Sequence, residues 1–484
     1  MGDPARCEPI PSDVGRAVHA DNYELAMNTS ELLVLDQRYC AQGDTSARRN
    51  PKKLFLAADG HFIFDENDIP HLDFQTCNSA ANLGYRTPDH LEAIARQGNR
   101  LPALASEFMH RDRVLLAKAI CDSVENAFGV RGRVHFTVGG AQAVDDALKI
   151  VAAVTGSRKV FAFQGGYHGR TIAASEVSAS YRYRSVFRGS ANAVFVPFPY
   201  CFRCPFEKEP ESCGLACARQ FEQVVENDAA GIRGANGELE CRAFLAEPVQ
   251  GRGGYIPAPA SYFQRIEPVL RRNQILLVAD EVQMGFFRAG RQWSIQNFGV
   301  CPDLIIFGKS LTNGMHPLAG VWAREPLLDS STWPPGSSHS TYGAAPLGTA
   351  LGLATFEAYA RRDYEVVVEE SGRAVEAACR RLEAQYPCIG HVNRLGLALS
   401  LDICAPDGRT PDEALARAIV EAGLSEPVTI DGRAYGLVLT RGGHHDNMVM
   451  IAPPIDVTAA EIVLFERLLG KTLERVCRPA EGGA

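Results

Sequence analysis

Between residues 159 and 307 the chain repeats one pattern, a short apolar run followed by a stretch long enough for a helix. The runs occupy residues 159–163, 193–196, 243–246, 275–279 and 304–307, and Val, Ile, Leu and Phe recur in them. Continuous rather than alternating apolar residues suit strands covered on both faces, as in a mainly parallel sheet. Helical stretches at residues 141–154 and 260–273 supply the crossovers that such a sheet requires. The flanks differ. Residues 1 to about 50 are polar and lack periodicity, apart from a short helix expected near residues 30–39. Strand-like pieces between residues 53 and 74, including His61-Phe62-Ile63-Phe64, predict a small antiparallel element. After Gly343 come two long helices, 345–359 and 364–385, then strands at 398–403 and 449–452. The expected architecture is α/β. A large domain over residues 86–343 carries a mainly parallel central sheet flanked by helices. A smaller α+β domain covers residues 344–484, with residues 1–85 contributing to it. Residues 333–338, Trp-Pro-Pro-Gly-Ser-Ser, read as a flexible loop.

Composition narrows the function. With 484 residues, 46% of them hydrophobic and 22% charged, the chain is globular and long enough for more than one core. A formal net charge of −8 argues against nucleic acid or an anionic membrane as a partner. No stretch approaches the ~18 consecutive apolar residues of a membrane span. The opening Met1-Gly2-Asp3-Pro4-Ala5-Arg6 shows no apolar signal core. Fourteen cysteines are too dilute for a disulfide scaffold and suit a reducing compartment, the cytoplasm.

Four short motifs carry candidate chemistry, each at a strand end or a helix start. Val138-Gly139-Gly140-Ala141 opens a helix, where backbone N–H groups and the helix dipole favour an anion. A glycine pair more often makes a plain turn. Gly165-Gly166-Tyr167-His168-Gly169-Arg170 follows a strand and offers an aromatic to stack on a flat ring and an arginine to clamp a carboxylate. A packed Tyr and a solvated Arg are the plainer alternative. Asp280, in Ala279-Asp280-Glu281-Val282-Gln283, is a carboxylate at a buried strand end, which needs a cationic partner. A structural salt bridge would serve as well as a ligand. Lys309, in Phe307-Gly308-Lys309-Ser310, becomes a nucleophile toward carbonyls if it is desolvated, although most lysines at strand ends are simply solvated. The combination is more telling than its parts. Phosphate cup, stacking ring, carboxylate for a pyridine nitrogen and imine-forming lysine are what pyridoxal 5′-phosphate (PLP) requires.

Asp280-Glu281-Val282-Gln283 and Phe307-Gly308-Lys309-Ser310 resemble the signature of the class-III (omega) PLP-dependent aminotransferases. Glu247-Pro248-Val249-Gln250-Gly251 and Ser340-Thr341-Tyr342-Gly343 are similar to that family's flanking motifs, in the right order. The resemblance implies a fold type I subunit acting as a homodimer with shared active sites. It also implies ping-pong transfer of an amino group from a primary amine or omega-amino acid to a 2-oxo acid. By resemblance, Gly140 and Ala141 hold the phosphate, Tyr167 stacks on the ring, Asp280 binds its nitrogen, and Gln283 approaches its hydroxyl. Lys309 is the imine-forming lysine, and Thr341 reaches the partner's cofactor. Arg170 matches the arginine that 4-aminobutyrate and lysine 6-aminotransferases use for a substrate carboxylate, and Glu247 belongs to the substrate pocket. A PLP-dependent racemase or epimerase on the same fold is the alternative. Arg170 weighs against it, because racemase-like members usually carry a small residue there.

Two features depart from or extend the family pattern. Met450 stands where many members carry an arginine for the α-carboxylate of 2-oxoglutarate or glutamate. The expectation is a preference for pyruvate or another monocarboxylate, with Arg441 or His444 and His445 as candidate substitutes. Cys201, Cys204, Cys213 and Cys217 are close in sequence, yet ordinary loop thiols suit them better than a zinc site, so no metal is expected.

Overall fold

The computed structural model describes residues 28–41, 43 and 53–477. The short N-terminal helix is Thr29–Tyr39, begun by a capping box in which Asn28 and Glu31 each accept the other's amide proton. The remainder of the polar lead-in, with the first residues of the chain, lies outside the described residues.

Seven strands form the central sheet. Their order across it is Gly132–Thr137, Ala319–Arg324, Leu304–Phe307, Leu276–Asp280, Cys241–Ala246, Lys159–Phe163 and Ala193–Val196. All five apolar runs lie in it. Ala319–Arg324 runs against the rest, pairing antiparallel with both of its neighbours, and the other four pairings are parallel. Alternate residues of each run face opposite layers. Val160, Leu245, Val278 and Ile306 pack with Val144, Ala147 and Ile150 of the helix Gly140–Thr155. Phe161, Phe244, Leu277 and Ile305 join a larger core on the other face. Such two-sided burial is why these strands read as unbroken apolar runs.

The first strands close a sheet with some of the last. Phe55–Asp59, Phe62–Asp65 and Pro70–Asp73 form an antiparallel meander, and Pro70–Asp73 pairs in parallel with Arg433–Val438, beside Val428–Ile430. A further sheet orders Ile389–Leu395, Ala398–Ile403, Met448–Ile451 and Thr440–Gly442. Arg288 ties distant segments together. Fully buried, it donates to the carbonyl oxygens of Leu397 (3.1 Å) and Pro453 and to Asn82 Oδ1 (2.7 Å). Burial among neutral partners lowers its pKa to about 10.

The loop at residues 333–338 is held rather than free. Lys149 Nζ donates to the Ser337 carbonyl at 2.6 Å, and the Trp333 ring stands edge-on to His135. Among the described residues no helix is long and apolar enough to cross a membrane.

Candidate active site

The four motifs converge at the C-terminal edge of the central sheet, where open α/β sheets bind ligands. Asp280 ends one strand, and Lys309 lies two residues beyond the neighbouring strand, in which Ile306 is the register partner of Asp280. Val282 links them to the helix start. An ideal Cβ on Gly140 would come within 2.9 Å of Val282 Cγ1, and one on Gly308 within 3.7 Å. Only glycine fits at position 140, whereas a Cβ on Gly139 would meet nothing within 4 Å. Gly139 caps the helix without a side-chain hydrogen bond, so no capping side chain occupies the first-turn amides beside Gly140 and Ala141.

Asp280 is buried and sits 2.7 Å from His168 Nδ1 through Oδ2, and its Oδ1 accepts the Val282 amide at 3.1 Å. Burial would lower the His168 pKa, but the hydrogen bond to Asp280 and the charges of Asp280 and Glu247 raise it. Lys309 lies in the left-handed region, with a backbone φ of +42°. Desolvation lowers its pKa to about 8, against the opposing charges of Asp280 and Glu247. Glu281, the other carboxylate of that motif, is structural: it accepts the amides of Ser294 and Ile295, both at 2.8 Å.

Near Lys309 lie four consecutive residues in the left-handed region, Thr76, Cys77, Asn78 and Ser79, with φ between +48° and +63°. Such a turn costs about 1–2 kcal/mol per residue. It is held by Asp73, which accepts the Gln75 and Thr76 amides, and by Thr76 Oγ1, which donates to the Ala452 carbonyl at 3.0 Å. Gln283 Nε2 donates to Tyr255 Oη (3.0 Å) and to the Asn78 carbonyl (3.3 Å), and Ser79 Oγ is also 3.0 Å from Tyr255 Oη.

Glu247 is buried and accepts the amides of Tyr167 (2.8 Å) and Gly251 (2.9 Å). Burial raises its pKa, and nearby Asp280 adds to that. Two backbone amides thus occupy both oxygens of this carboxylate. Tyr167 stands edge-on to Tyr183 at 5.3 Å, and the exposed Arg170 guanidinium lies 4.4 Å from the Tyr183 ring centroid. Met450 is buried within its strand. Of its candidate substitutes, Arg441 is paired with Glu413 at 3.2 Å, and His444 Nε2 lies 3.1 Å from Gln250 Oε1. Thr341 is exposed, in the turn that precedes the helix Pro346–Tyr359. Cys201, Cys204, Cys213 and Cys217 line one small cavity, but no group of three or more His, Cys, Asp or Glu among the described residues is placed to hold a metal.

The motifs point to no role for His168, Tyr183, Tyr255 or Arg252. His168 and Arg252 stand inside or beside quoted motifs, whereas Tyr255 enters only through its contact with the left-handed turn. The residues present fit PLP. An uncapped helix start, a desolvated amine and a buried carboxylate backed by an imidazole form one cleft edge. Thr137 Oγ1 and Ser310 Oγ, at the strand ends that frame it, are buried without a hydrogen-bond partner among the described residues.

Comparison with known proteins agrees. Residues 45–473 match the family described as aminotransferase class-III. The chain is 28% identical to the diaminobutyrate–2-oxoglutarate aminotransferase of Rhizobium meliloti, over 90% of this chain and 92% of that one. It is also 28% identical to the leucine/methionine racemase of Thermococcus litoralis, over 82% and 84% of the two chains. An amine transaminase from an uncultivated Pseudomonas species, solved in a PLP-bound form, superposes with a TM-score of 0.78 at 25% identity, covering 89% of this chain and 97% of that one. With the site geometry and a match spanning nearly the whole chain, this protein belongs to the class-III aminotransferases, which depend on PLP.

Proposed function

We propose that the chain moves an amino group from a primary amine or omega-amino acid to a 2-oxo acid in two half-reactions, with Lys309 and Asp280 as its catalytic pair. The carrying observation is the desolvated Lys309 amine beside Asp280, itself backed by His168. Bound PLP supplies an aldehyde that takes up the amino group and a ring that draws electrons from the bond to be broken. Gly140 and Ala141 hold its phosphate at the helix start. Asp280 keeps a proton on the ring nitrogen, and His168 fixes the orientation of that carboxylate. Lys309, uncharged in part near neutral pH, would hold the aldehyde end of the cofactor and would accept and return the proton of the substrate carbon. Tyr167 would cover the ring, Gln283 would border its hydroxyl, and Arg170 would take a substrate carboxylate.

A homodimer completes the site in this reading. The exposed Phe108, Met109 and Tyr342 support it. They share one region, because His110 Nε2 lies 2.9 Å from the Ala344 carbonyl, and Thr341 stands beside Tyr342. The buried free thiols Cys241, Cys379 and Cys404 suit the cytoplasm.

Racemases occur among the more distant relatives, at 28% identity over 82% of this chain, and the decisive experiment separates the two readings. Candidate amines are added to the PLP-loaded protein without an oxo acid. An aminotransferase retains the amino group, and the visible absorbance of PLP is lost for good. A racemase returns to its starting spectrum, and that result would displace the proposal.

A further inference from the structure

Beside the catalytic residues opens a cleft of about 1600 Å³. Arg252, five residues after Glu247, lines it and remains partly exposed. Its guanidinium donates to the Arg441 carbonyl at 2.6 Å and pairs with Asp446 Oδ1 at 3.0 Å. Asp446 is shared, since Arg182 approaches its other oxygen at 3.7 Å. Arg170, on the same cleft, has no acidic partner among the described residues and rests on Tyr183. Six arginines and Lys208 line the cleft against Glu207, Glu209, Glu413 and Asp446, which leaves it positive.

The position of Arg252 is specific. An ideal Cβ on Gly442 would stand 2.8 Å from Arg252 Nη1 and 2.9 Å from Met450 Cε. Glycine at 442 therefore lets the guanidinium lie next to the methionine that replaces the family's late arginine. Glu247 anchors the loop from its other end through the Gly251 amide.

We infer that Arg252 determines acceptor specificity by holding, with Arg170, the two carboxylates of a dicarboxylic 2-oxo acid. This reverses the expectation drawn from Met450 alone, and it rests on the aminotransferase reading. Arg252 has donor capacity beyond its bonds to Asp446 and Arg441, as a planar fork with five N–H groups allows. A bound carboxylate would compete with Asp446, which retains Arg182.

The test uses ligands that cannot react. The PLP-loaded protein is titrated calorimetrically with glutarate and with butyrate, a dicarboxylate and a monocarboxylate without a carbonyl to transform. Wild type should bind glutarate at least about ten-fold more tightly, the scale of one charge-assisted pair. Arg252→Gln should bring the two ligands within about three-fold, less than half of that free-energy difference. Asp446→Asn breaks the same ion pair but keeps the guanidinium, and should preserve the glutarate preference. Equal binding by wild type, or a preference that survives Arg252→Gln, overturns the inference. Loss of the preference in Asp446→Asn to the same degree would also overturn it, showing that Arg252 only shapes the loop. Protein loaded with pyridoxamine phosphate is then mixed with 2-oxoglutarate or pyruvate. If neither is converted while the glutarate preference holds, the aminotransferase reading fails and the dicarboxylate site stands.

Discussion

Replacing Asp280 by asparagine keeps the shape of the side chain and removes its charge. The amide cannot hold a ring proton electrostatically, so turnover of Asp280→Asn should fall by roughly 10² or more. The pKa of His168 should fall as well, because its raised value depends on Asp280. Titration of labelled imidazole by NMR reads that change separately from the rate, and an unmoved His168 would refute the pairing. Lys309 gives a second prediction. With its pKa lowered to about 8, the free amine dominates above that pH. Uptake of PLP by the cofactor-free protein should accelerate as pH rises and level off beyond about 8, followed by absorbance. A rise continuing toward pH 10.5 would mean that Lys309 is solvated. At this scale the sequence was legible where one residue type has few uses: Lys309, Asp280 and Gly140 lie together as their motifs suggested. The left-handed turn at Thr76–Ser79 left no trace, because the four residues, none of them glycine, advertise no such backbone. Arg252 was silent for another reason: its neighbour Met450 lies almost two hundred residues away.

His61, at the start of the first hairpin's second strand, reaches Asp456 at 3.3 Å and Glu461 at 2.8 Å, at the N-terminus of the helix Ala459–Val476. Burial alone would lower its pKa, but these two carboxylates raise it to about 9. The unfolded chain titrates near 6.5, so this contribution is fully present below that pH and is lost as pH rises through 9. Its upper bound is about 3 kcal/mol. Urea midpoints should decline from pH 6.5 to 9 in wild type, and much of that decline should vanish in His61→Asn. An unchanged slope would exclude the pair as its source. Arg288 joins elements differently, through neutral acceptors alone. Arg288→Met would strip the guanidinium donors from the Leu397 and Pro453 carbonyls and from Asn82 Oδ1, and should cost about 2–4 kcal/mol in urea unfolding. Elements were the most legible level. The five apolar runs fell within two residues of the observed strands, because two-sided burial writes itself into composition. Two strands of the same sheet escaped. Gly132–Thr137 carries Arg133 and His135 on a half-buried edge, and Ala319–Arg324 opens with Ala-Gly. Neither makes an unbroken run.

Assembly is the level at which exposed apolar residues acquire meaning. Met109 and Tyr342 are 82% and 67% exposed, a cost that a partner surface would remove. Met109→Asp should shift the protein toward monomer in sedimentation velocity and lower activity with it. A stable dimer with that charge would place the interface elsewhere. Pairing within the chain is also long-range. Pro70–Asp73 finds its parallel neighbour in Arg433–Val438, about 365 residues later. At ribosomal speeds of about 5–20 residues per second, the first three strands wait roughly 20–70 s for the strand that covers their edge. Through that interval a nascent chain carries an open β edge, a template for unwanted pairing. Slow synthesis therefore lengthens the exposure, and anything that releases the chain before residue 438 makes it permanent. Production of this protein should depend more on holding that edge quiet than on the final stability of the fold.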